Sequence, residues 1–313
     1  MGMKHKLGKI GILMGGPSTE REVSFKSGKA VYLALGQLGL EIEAIDIKTD
    51  DPKKNKRLIK SRKIDCAFLA LHGRFGEDGS IQEILEAIKI PYTGSGVLAS
   101  RLAMDKIASR RIFELHGLKV PRYKVLNKSS RGIARKVCAD FGFPLVIKPA
   151  AGGSSIGLSI INKAKELDKG IESAFSFDEK IIIEQYVKGR ELTVGILEER
   201  ALPVIEIIPK NKFFDYEAKY HAGLTDYIVP AKLKESLVKK AKEAALSAHR
   251  LLGCFGCSRV DIILDEGNLL YVLEVNTIPG LTSTSLLPKA AGAVGIHFEE
   301  LCLRLIKLAY EKK

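Results

Sequence analysis

The sequence predicts an α/β protein whose first part is a parallel sheet covered by helices and whose second half is of the α+β kind. Before residue 91, short apolar runs alternate with helical patterns, which is typical of parallel strands joined by helices. In residues 259–276, two β-branched runs flank a short turn that contains Gly267, which predicts an antiparallel hairpin. The 313 residues, 46% of them hydrophobic, are enough for two or three folded domains.

Strands and helices alternate in the first part: strands at 9–14, 42–47 and 64–71, and helices at 23–35, 53–62 and 81–88, the last capped by Ser80. In a parallel sheet the ligand crevice lies beyond the carboxyl ends of the strands. Glu20 and His72 follow the first and third strands, so we expect both at that crevice. Each also has an ordinary interpretation. An acidic residue is favoured at a helix start, and a lone histidine after a strand often only hydrogen-bonds its loop.

The second half mixes helices with further strands: a linker at 91–96, helices at 100–115, 232–252 and 298–310, and strands at 144–149, 158–161, 181–187, 193–197 and 203–208. A glycine-rich loop at 150–157 joins the first two of these strands and lacks the Walker motif. Such a hairpin can cover a triphosphate with its backbone N–H groups, and Lys148 at its base supplies a charge. The alternative is a surface hairpin whose lysine reaches solvent.

The hairpin at 259–276 carries the most informative polar residues. If the turn at 265–268 closes it, Asp261 faces Val272 and Arg259 faces Glu274. Side chains repeat with period two, so Asp261, Glu274 and Asn276 share one face. Two carboxylates and an amide oxygen suit a hard cation such as Mg²⁺. The alternative is a structural ion pair between Glu274 and Arg259.

The charge balance leaves several classes of partner open. The chain has 50 basic and 37 acidic residues, a net charge of +13, which suits nucleic acid, an acidic membrane surface or an anionic small substrate. The clearest basic cluster, 53–63, has no interleaved aromatic residues, so a solvated helix face is favoured over a polyanion patch. Cys254 and Cys257 lack a second pair for zinc and are expected to be buried thiols. We expect no signal peptide and no membrane span, and a reduced, cytoplasmic setting.

Short motifs recur along the chain in a fixed order: GGPSTEREVS at 15–24, LHG at 71–73 with GEDG at 76–79, PYTGSG at 91–96, MDK at 104–106, KP at 148–149 with GSSIG at 153–157, YEAKY at 216–220, RVD at 259–261, and EVNT at 274–277 with PG at 279–280. Each string alone is weakly specific, but the ordered set is very specific. From residue 9 to near its end, the chain resembles the D-alanine–D-alanine ligases of the ATP-grasp superfamily.

The resemblance implies an ATP-grasp fold with an N-terminal parallel-sheet preATP-grasp domain. The implied domains are 1–94, which binds substrate, 95–188, which carries the glycine-rich loop, and 189–313, which carries the metal and substrate site. The implied reaction is phosphorylation of one D-alanine carboxylate by ATP. The amine of a second D-alanine then attacks the acylphosphate, and the dipeptide serves peptidoglycan synthesis.

The resemblance also implies a role for individual residues. Glu20 would bind the ammonium of the first D-alanine, together with Ser154 and Tyr220. His72, Arg259 and the N–H of Gly280 would contact its carboxylate or the developing oxyanion. Ser285 and Leu286 would receive the carboxylate of the second D-alanine.

The remaining implied roles concern the nucleotide and metal. A strand leading to polar acceptors suits adenosine, because backbone groups can bind adenine and a carboxylate can bind ribose. The residues so assigned are Glu184, Gln185, Val187 and Glu191 for adenosine, Lys106, Lys148, Ser155 and Lys219 for phosphates, and Asp261, Glu274 and Asn276 for two Mg²⁺ ions, with Mn²⁺ as a substitute.

The implied partners are ATP and D-alanine in a homodimer, with neither nucleic acid nor membrane. Gly152 departs from many relatives, which carry an acidic or bulkier residue before the serines. Tyr220 matches the dipeptide-forming type. Two alternatives remain: a related ligase using D-lactate or D-serine as second substrate, and a catalytically silent protein that binds nucleotide or polyanion.

Overall fold

The computed structural model describes residues 7–153, 156–210 and 225–312. The strands are β1 (Ile10–Gly15), β2 (Ile42–Ile47), β3 (Cys66–Leu69), β4 (Tyr123–Asn127), β5 (Leu145–Pro149), β6 (Ser159–Ile161), β7 (Lys180–Gln185), β8 (Gly189–Leu197), β9 (Arg200–Pro209), β10 (Thr225–Ile228), β11 (Cys257–Asp265) and β12 (Leu270–Asn276). The α-helices are α1 (Arg21–Gln37), α2 (Pro52–Ser61), α3 (Ser80–Ala87), α4 (Val97–Met104), α5 (Lys106–Leu115), α6 (Ala134–Phe141), α7 (Leu167–Phe175), α8 (Glu235–Leu251), α9 (Leu286–Gly292) and α10 (Phe298–Glu311).

Three sheets organise these elements. The first is parallel, in the order β2-β1-β3, as the alternation of strands and helices predicts. The second, β4-β7-β5-β6, and the third, β10-β9-β8-β11-β12, are antiparallel. The fold class predicted from the sequence is therefore confirmed. The glycine-rich loop joins β5 to β6 as a hairpin, so its strand–loop–strand context is also confirmed.

The last helix returns to the first sheet. α10 packs against α1, and the hydroxyl of Tyr310 donates to the carbonyl of Leu7 at 2.5 Å. Residues of β1, β3, α1, α9 and α10 form one apolar core. A second core lies between α8 and the five-stranded sheet. The carboxyl ends of β1 and β3 are thereby held beside the segment that follows β12.

Two helix starts differ from the sequence-based expectation. Ser80 is the first residue of α3 rather than its cap, because Gly79, with φ of +90°, precedes the helix and Asp78 Oδ1 accepts from the Ser80 N–H at 3.0 Å. The predicted helix 100–115 is two helices. Asp105 interrupts it because its carboxylate accepts from two N–H groups in the first turn of α5, at 2.9 and 3.0 Å.

All five cysteines are buried and free, as expected for thiols in apolar surroundings. Burial raises the pKa of Cys254 and Cys257 to about 12, so neither is a nucleophile near neutral pH. Within the described ranges, no helix is long and apolar enough to cross a membrane.

Candidate active site

The hairpin of β11 and β12 forms as predicted, but its register is not the predicted one. Arg259 faces Asn276 and Asp261 faces Glu274, whereas the sequence argument paired them with Glu274 and Val272. The predicted pairing is therefore wrong by two residues of β12.

Two single-residue irregularities cause this offset. The N–H of Asp265 donates to the carbonyl of Leu269 at 2.9 Å, so the turn is one residue longer than 265–268. The register also shifts between Asp261 and Ile262, which leaves one more residue of β12 unmatched. The two offsets add up to two residues, which is one full side-chain period of a strand. The three predicted oxygen donors therefore still share one face.

The charged residues on this face have charged partners, either on the same face or on α5. Arg259 donates from Nε and Nη2 to Asp261 Oδ1 and Oδ2, at 3.0 and 2.9 Å. Asn276 Nδ2 donates to Asp261 Oδ2 at 3.1 Å, and Lys106 Nζ lies 3.4 Å from Glu274 Oε2. Arg259 therefore forms its ion pair with Asp261. Glu274 is paired with Lys106 of α5 rather than with Arg259.

The side chains on this face are too few to bind a metal ion without ligands from outside the protein. Among the residues that the structure describes, no group of three or more His, Cys, Asp or Glu could hold an ion. Asp261, Glu274 and Asn276 offer two carboxylates and one amide. Mg²⁺ is commonly bound by one or two carboxylates while phosphates and water supply the other oxygens. The set therefore fits Mg²⁺ that arrives with a polyphosphate.

Two lysines lie opposite the hairpin face. Lys106 opens α5 and its Nζ donates to the carbonyl of Gly152, while Lys148 in β5 lies 2.9 Å from Glu184 Oε1. Burial lowers the pKa of Lys148 to about 8. Both lysines line a cavity of about 270 Å³, together with Glu191, Asp261 and Glu274. Basic and acidic groups thus meet across a space suited to a nucleotide with its metal.

Glu184 has a partner that sequence reasoning missed. Arg110 of α5 is fully buried, and its Nη2 lies 2.5 Å from Glu184 Oε2. Burial raises the pKa of Glu184, but the positive charges of Arg110 and Lys148 outweigh it, so the pKa lies below its usual range. An arginine in an amphipathic helix resembles an exposed one in sequence, so no local signal identified it.

The strand assigned to adenosine has one backbone group already engaged. The N–H of Gln185 donates to the carbonyl of Arg122 at 2.9 Å, so a nucleotide contact of Gln185 would come from its carbonyl. Val187 is half-buried just after β7, and Glu191 lies in β8 at the cavity wall.

Glu20 and His72 both lie at the carboxyl end of the first sheet and both are buried. His72 Nε2 is 2.9 Å from Ser27 Oγ, and the N–H of Leu281 donates to that hydroxyl at 3.3 Å. Burial lowers the pKa of His72 to about 4, so the ring is neutral at neutral pH. Ser27, which the sequence argument did not single out, therefore ties His72 to the segment after β12.

Glu77 is a half-buried carboxyl residue that sequence reasoning left without a role. The N–H of Gly73 donates to Glu77 Oε2 at 2.8 Å. Burial, reinforced by the negative charge of Glu20, raises the pKa of Glu77 to about 8. The GEDG string contains it, but nothing in the string indicates that its carboxyl is buried beside Glu20.

The remaining assigned residues fall into two groups. Ser285 immediately precedes α9, which begins at Leu286, and a Cβ placed on Gly280 would lie 3.0 Å from Ser285 Oγ. Gly280 and Ser285 are therefore close neighbours. The other group lies outside the described residues: Ser154, Ser155, Lys219 and Tyr220.

The glycine-rich hairpin borders two cavities. Gly152 and Gly153 line the 270 Å³ cavity and also a second one of about 940 Å³ that is lined by Glu20. A Cβ on Gly153 would lie 3.2 Å from Glu20 Oε2. A group bound at Glu20 is thus next to a group bound between the lysines and the hairpin face, which suits transfer of a phosphoryl group to a small substrate.

Comparison with known proteins gives a consistent result. Residues 48–95 match the family model described as D-ala D-ala ligase N-terminus, and residues 112–307 match the one described as D-ala D-ala ligase C-terminus. A curated D-alanine--D-alanine ligase from Geotalea uraniireducens (strain Rf4) is 48% identical over 304 residues, covering 97% of this chain and 96% of the relative.

Solved structures agree over nearly the whole chain. D-alanine--D-alanine ligase from Bacillus anthracis complexed with ATP aligns with a TM-score of 0.85 at 35% identity, covering 97% of this chain and 98% of that one. The VanG D-Ala:D-Ser ligase from Enterococcus faecalis aligns with a TM-score of 0.82 at 31% identity, covering 96% and 99%.

Proposed function

Because the chain belongs to the D-alanine–D-alanine ligase family, we propose that the residues around its two cavities bind ATP, two D-alanines and two Mg²⁺ ions. The chain is an ATP-grasp enzyme, an ADP-forming ligase that joins two D-alanines for cell wall synthesis. The alternative of D-lactate or D-serine as second substrate is not favoured, since relatives at 45–48% identity carry the D-alanine--D-alanine name.

On the substrate side, Glu20 binds the ammonium of the first D-alanine. Arg259 and the N–H of Gly280 receive its carboxylate and the charge that develops on it. His72 serves the same carboxylate as a neutral hydrogen-bonding ring, a role supported by its low pKa. Ser285, with Leu286, receives the carboxylate of the second D-alanine. Ser154 and Tyr220 complete the first subsite by family resemblance.

On the nucleotide side, Lys106 and Lys148 bind phosphates, supported by their position on the 270 Å³ cavity. Glu191 binds the ribose, while Glu184, the carbonyl of Gln185 and the backbone of Val187 serve adenosine. Ser155 and Lys219 are assigned to phosphates by resemblance.

Asp261, Glu274 and Asn276 would hold the divalent ions. When bound, Mg²⁺ or Mn²⁺ lowers the repulsion between the phosphates and the incoming carboxylate. The protein's own part is positional: it aligns the carboxylate with the terminal phosphate, then the second amine with the acylphosphate, and phosphate leaves. The observation that carries this assignment is the shared face of these three side chains opposite Lys106.

The domains divide at 1–94, 95–188 and 189–313, a division supported by the three separate sheets. By family resemblance, the enzyme acts in the cytoplasm and as a homodimer. Neither nucleic acid nor membrane is a partner.

The test is phosphate release from ATP with Mg²⁺ and D-alanine, D-serine or D-lactate. Release should require both Mg²⁺ and D-alanine, and the dipeptide should be the main product. Equal turnover with L-alanine would indicate another ligase, and ATP binding without turnover would refute the enzyme.

Glu274→Gln tests the metal assignment. It preserves volume but removes a charged ligand, so we expect turnover to be lost while the melting temperature stays close to that of the unsubstituted protein. Glu266→Gln is the matched control, because Glu266 is an exposed residue in the turn of the same hairpin, paired with Lys188. Near-normal activity of Glu274→Gln would refute the metal-binding role of Glu274.

A further inference from the structure

A buried arginine lies behind Glu184 and lines neither of the two cavities. Arg110 is 0% exposed, and its guanidinium stacks over the ring of Tyr123 at 5.1 Å. Among the described residues, none of its three guanidinium nitrogens has a hydrogen-bond partner of regular geometry. Burying a guanidinium is costly unless its charge is used. Its one ion-pair partner among those residues is Glu184.

Arg110, Glu184 and Lys148 form two linked ion pairs, and Lys148 is the member at the nucleotide cavity. Arg110 Nη2 is 2.5 Å from Glu184 Oε2, and Lys148 Nζ is 2.9 Å from Glu184 Oε1. Each carboxylate oxygen therefore takes one cation, and the trio carries a net charge of one positive unit. Only Lys148 of the three lines the 270 Å³ cavity.

Without Arg110, the net charge of this group would fall from one positive unit to zero. Glu184 and Lys148 alone would form a neutral pair, because one carboxylate would cancel the one ammonium. The field that Lys148 presents to the cavity would then be largely lost, although its side chain would remain in position. Arg110 prevents this by taking up the charge of Glu184 from the side away from the cavity.

We propose that Arg110 is a positioning residue that neutralises and holds Glu184, so that this carboxylate does not cancel the positive field that Lys148 presents to the phosphates of the nucleotide. The proposal rests on the nucleotide site proposed above and adds a residue to it. It distinguishes phosphate binding from adenosine binding: losing the arginine weakens ADP by more than any loss that comes from the adenosine contact of Glu184. A residue that only fills the core would affect both alike.

The experiment compares dissociation constants of ADP and adenosine by calorimetry in the same Mg²⁺ buffer. Arg110→Met should weaken ADP on the order of tenfold or more beyond any change in the adenosine dissociation constant, the effect of one unit charge in a partly screened site. Arg110→Lys, which keeps the charge, should restore most of the ADP affinity. Arg111→Met is the matched control, because Arg111 is the exposed neighbour on the same helix.

A second variant removes the carboxylate of Glu184 as well as the arginine. In Arg110→Met/Glu184→Gln the carboxylate no longer cancels Lys148, so the ratio of adenosine to ADP dissociation constants should return toward the unsubstituted value. Glu184→Gln with Arg110 intact should leave that ratio equal or higher, which keeps the proposal testable should Arg110→Met fail to fold. Equal weakening of ADP and adenosine, or a double variant no better than the single one, would overturn it. Absence of D-alanine-dependent phosphate release by the unsubstituted protein would instead refute the proposed function.

Discussion

Replacing His72 with glutamine should make the protein more resistant to acid. His72 is buried, and burial lowers its pKa to about 4 from an ordinary value of 6.5. In the window between those values the unfolded chain binds a proton that the folded protein does not. Stability is therefore lost as the pH falls through that window, and a neutral glutamine removes this part of the loss.

The size of the effect follows from the two pKa values. At about pH 5 the unfolded histidine is almost fully protonated while His72 in the fold is almost fully neutral, which costs about 2 kcal/mol of unfolding free energy. Near pH 7.5 the same histidine is neutral in both states, so it contributes almost nothing there. The difference in stability between the unsubstituted protein and His72→Gln should therefore change by about 2 kcal/mol across this range.

Urea unfolding at several pH values measures this difference directly. His116→Gln is the matched control, because His116 is exposed on the surface of the protein. The control should follow the unsubstituted protein at every pH, and an NMR titration of the His72 ring should give a midpoint near 4. Parallel stability curves for His72→Gln and the unsubstituted protein would refute the reasoning, as would a midpoint close to 6.5.

Two further substitutions have defined outcomes. Glu77→Gln should act with the opposite sign to His72→Gln: the pKa of Glu77 is raised to about 8, so its proton stabilises the fold at low pH and this contribution is lost as the pH rises through about 8. Relative to the unsubstituted protein, the variant should gain stability in urea between about pH 5 and pH 8, and a constant difference would contradict the assignment. Gly189→Ala should destabilise by about 1–3 kcal/mol, because the new Cβ would lie 2.2 Å from the Leu264 carbonyl oxygen. The control Gly132→Ala has open space around it, and equal melting temperatures for the two variants would count against the steric argument.

The periodic features of the chain were predictable from sequence. Alternation of apolar runs with helical patterns predicts the parallel sheet β2-β1-β3, and period-two patterning predicts the face shared by Asp261, Glu274 and Asn276. Both depend on spacing along the chain, and both are confirmed as geometry. The assignment of these three side chains to metal stays a proposal.

Features that depend on one competing hydrogen bond or on distant partners were not predictable. A single bulge between Asp261 and Ile262 moves the register of the hairpin, and the carboxylate of Asp105 divides one predicted helix into α4 and α5. Arg110 is a clearer case. Its burial depends on Glu184, which is 74 residues away in the chain and reaches it only when β7 joins the second sheet.

The site keeps the carboxyl groups of half-buried Glu77 and buried Glu184 in opposite protonation states. Burial raises the pKa of both Glu77 and Glu184, but the negative charge of Glu20 adds to the effect on Glu77, whereas Arg110 and Lys148 reverse it for Glu184. Neighbouring charge, and not depth, therefore decides which group holds a proton near neutral pH. Glu77, on the side of the site that carries Glu20, therefore titrates near neutral pH, whereas Glu184 stays ionised beside Lys148. Because burial also lowers the pKa of Lys148 to about 8, ADP binding and D-alanine binding should both change as the pH rises through about 8, the first through Lys148 and the second through Glu77.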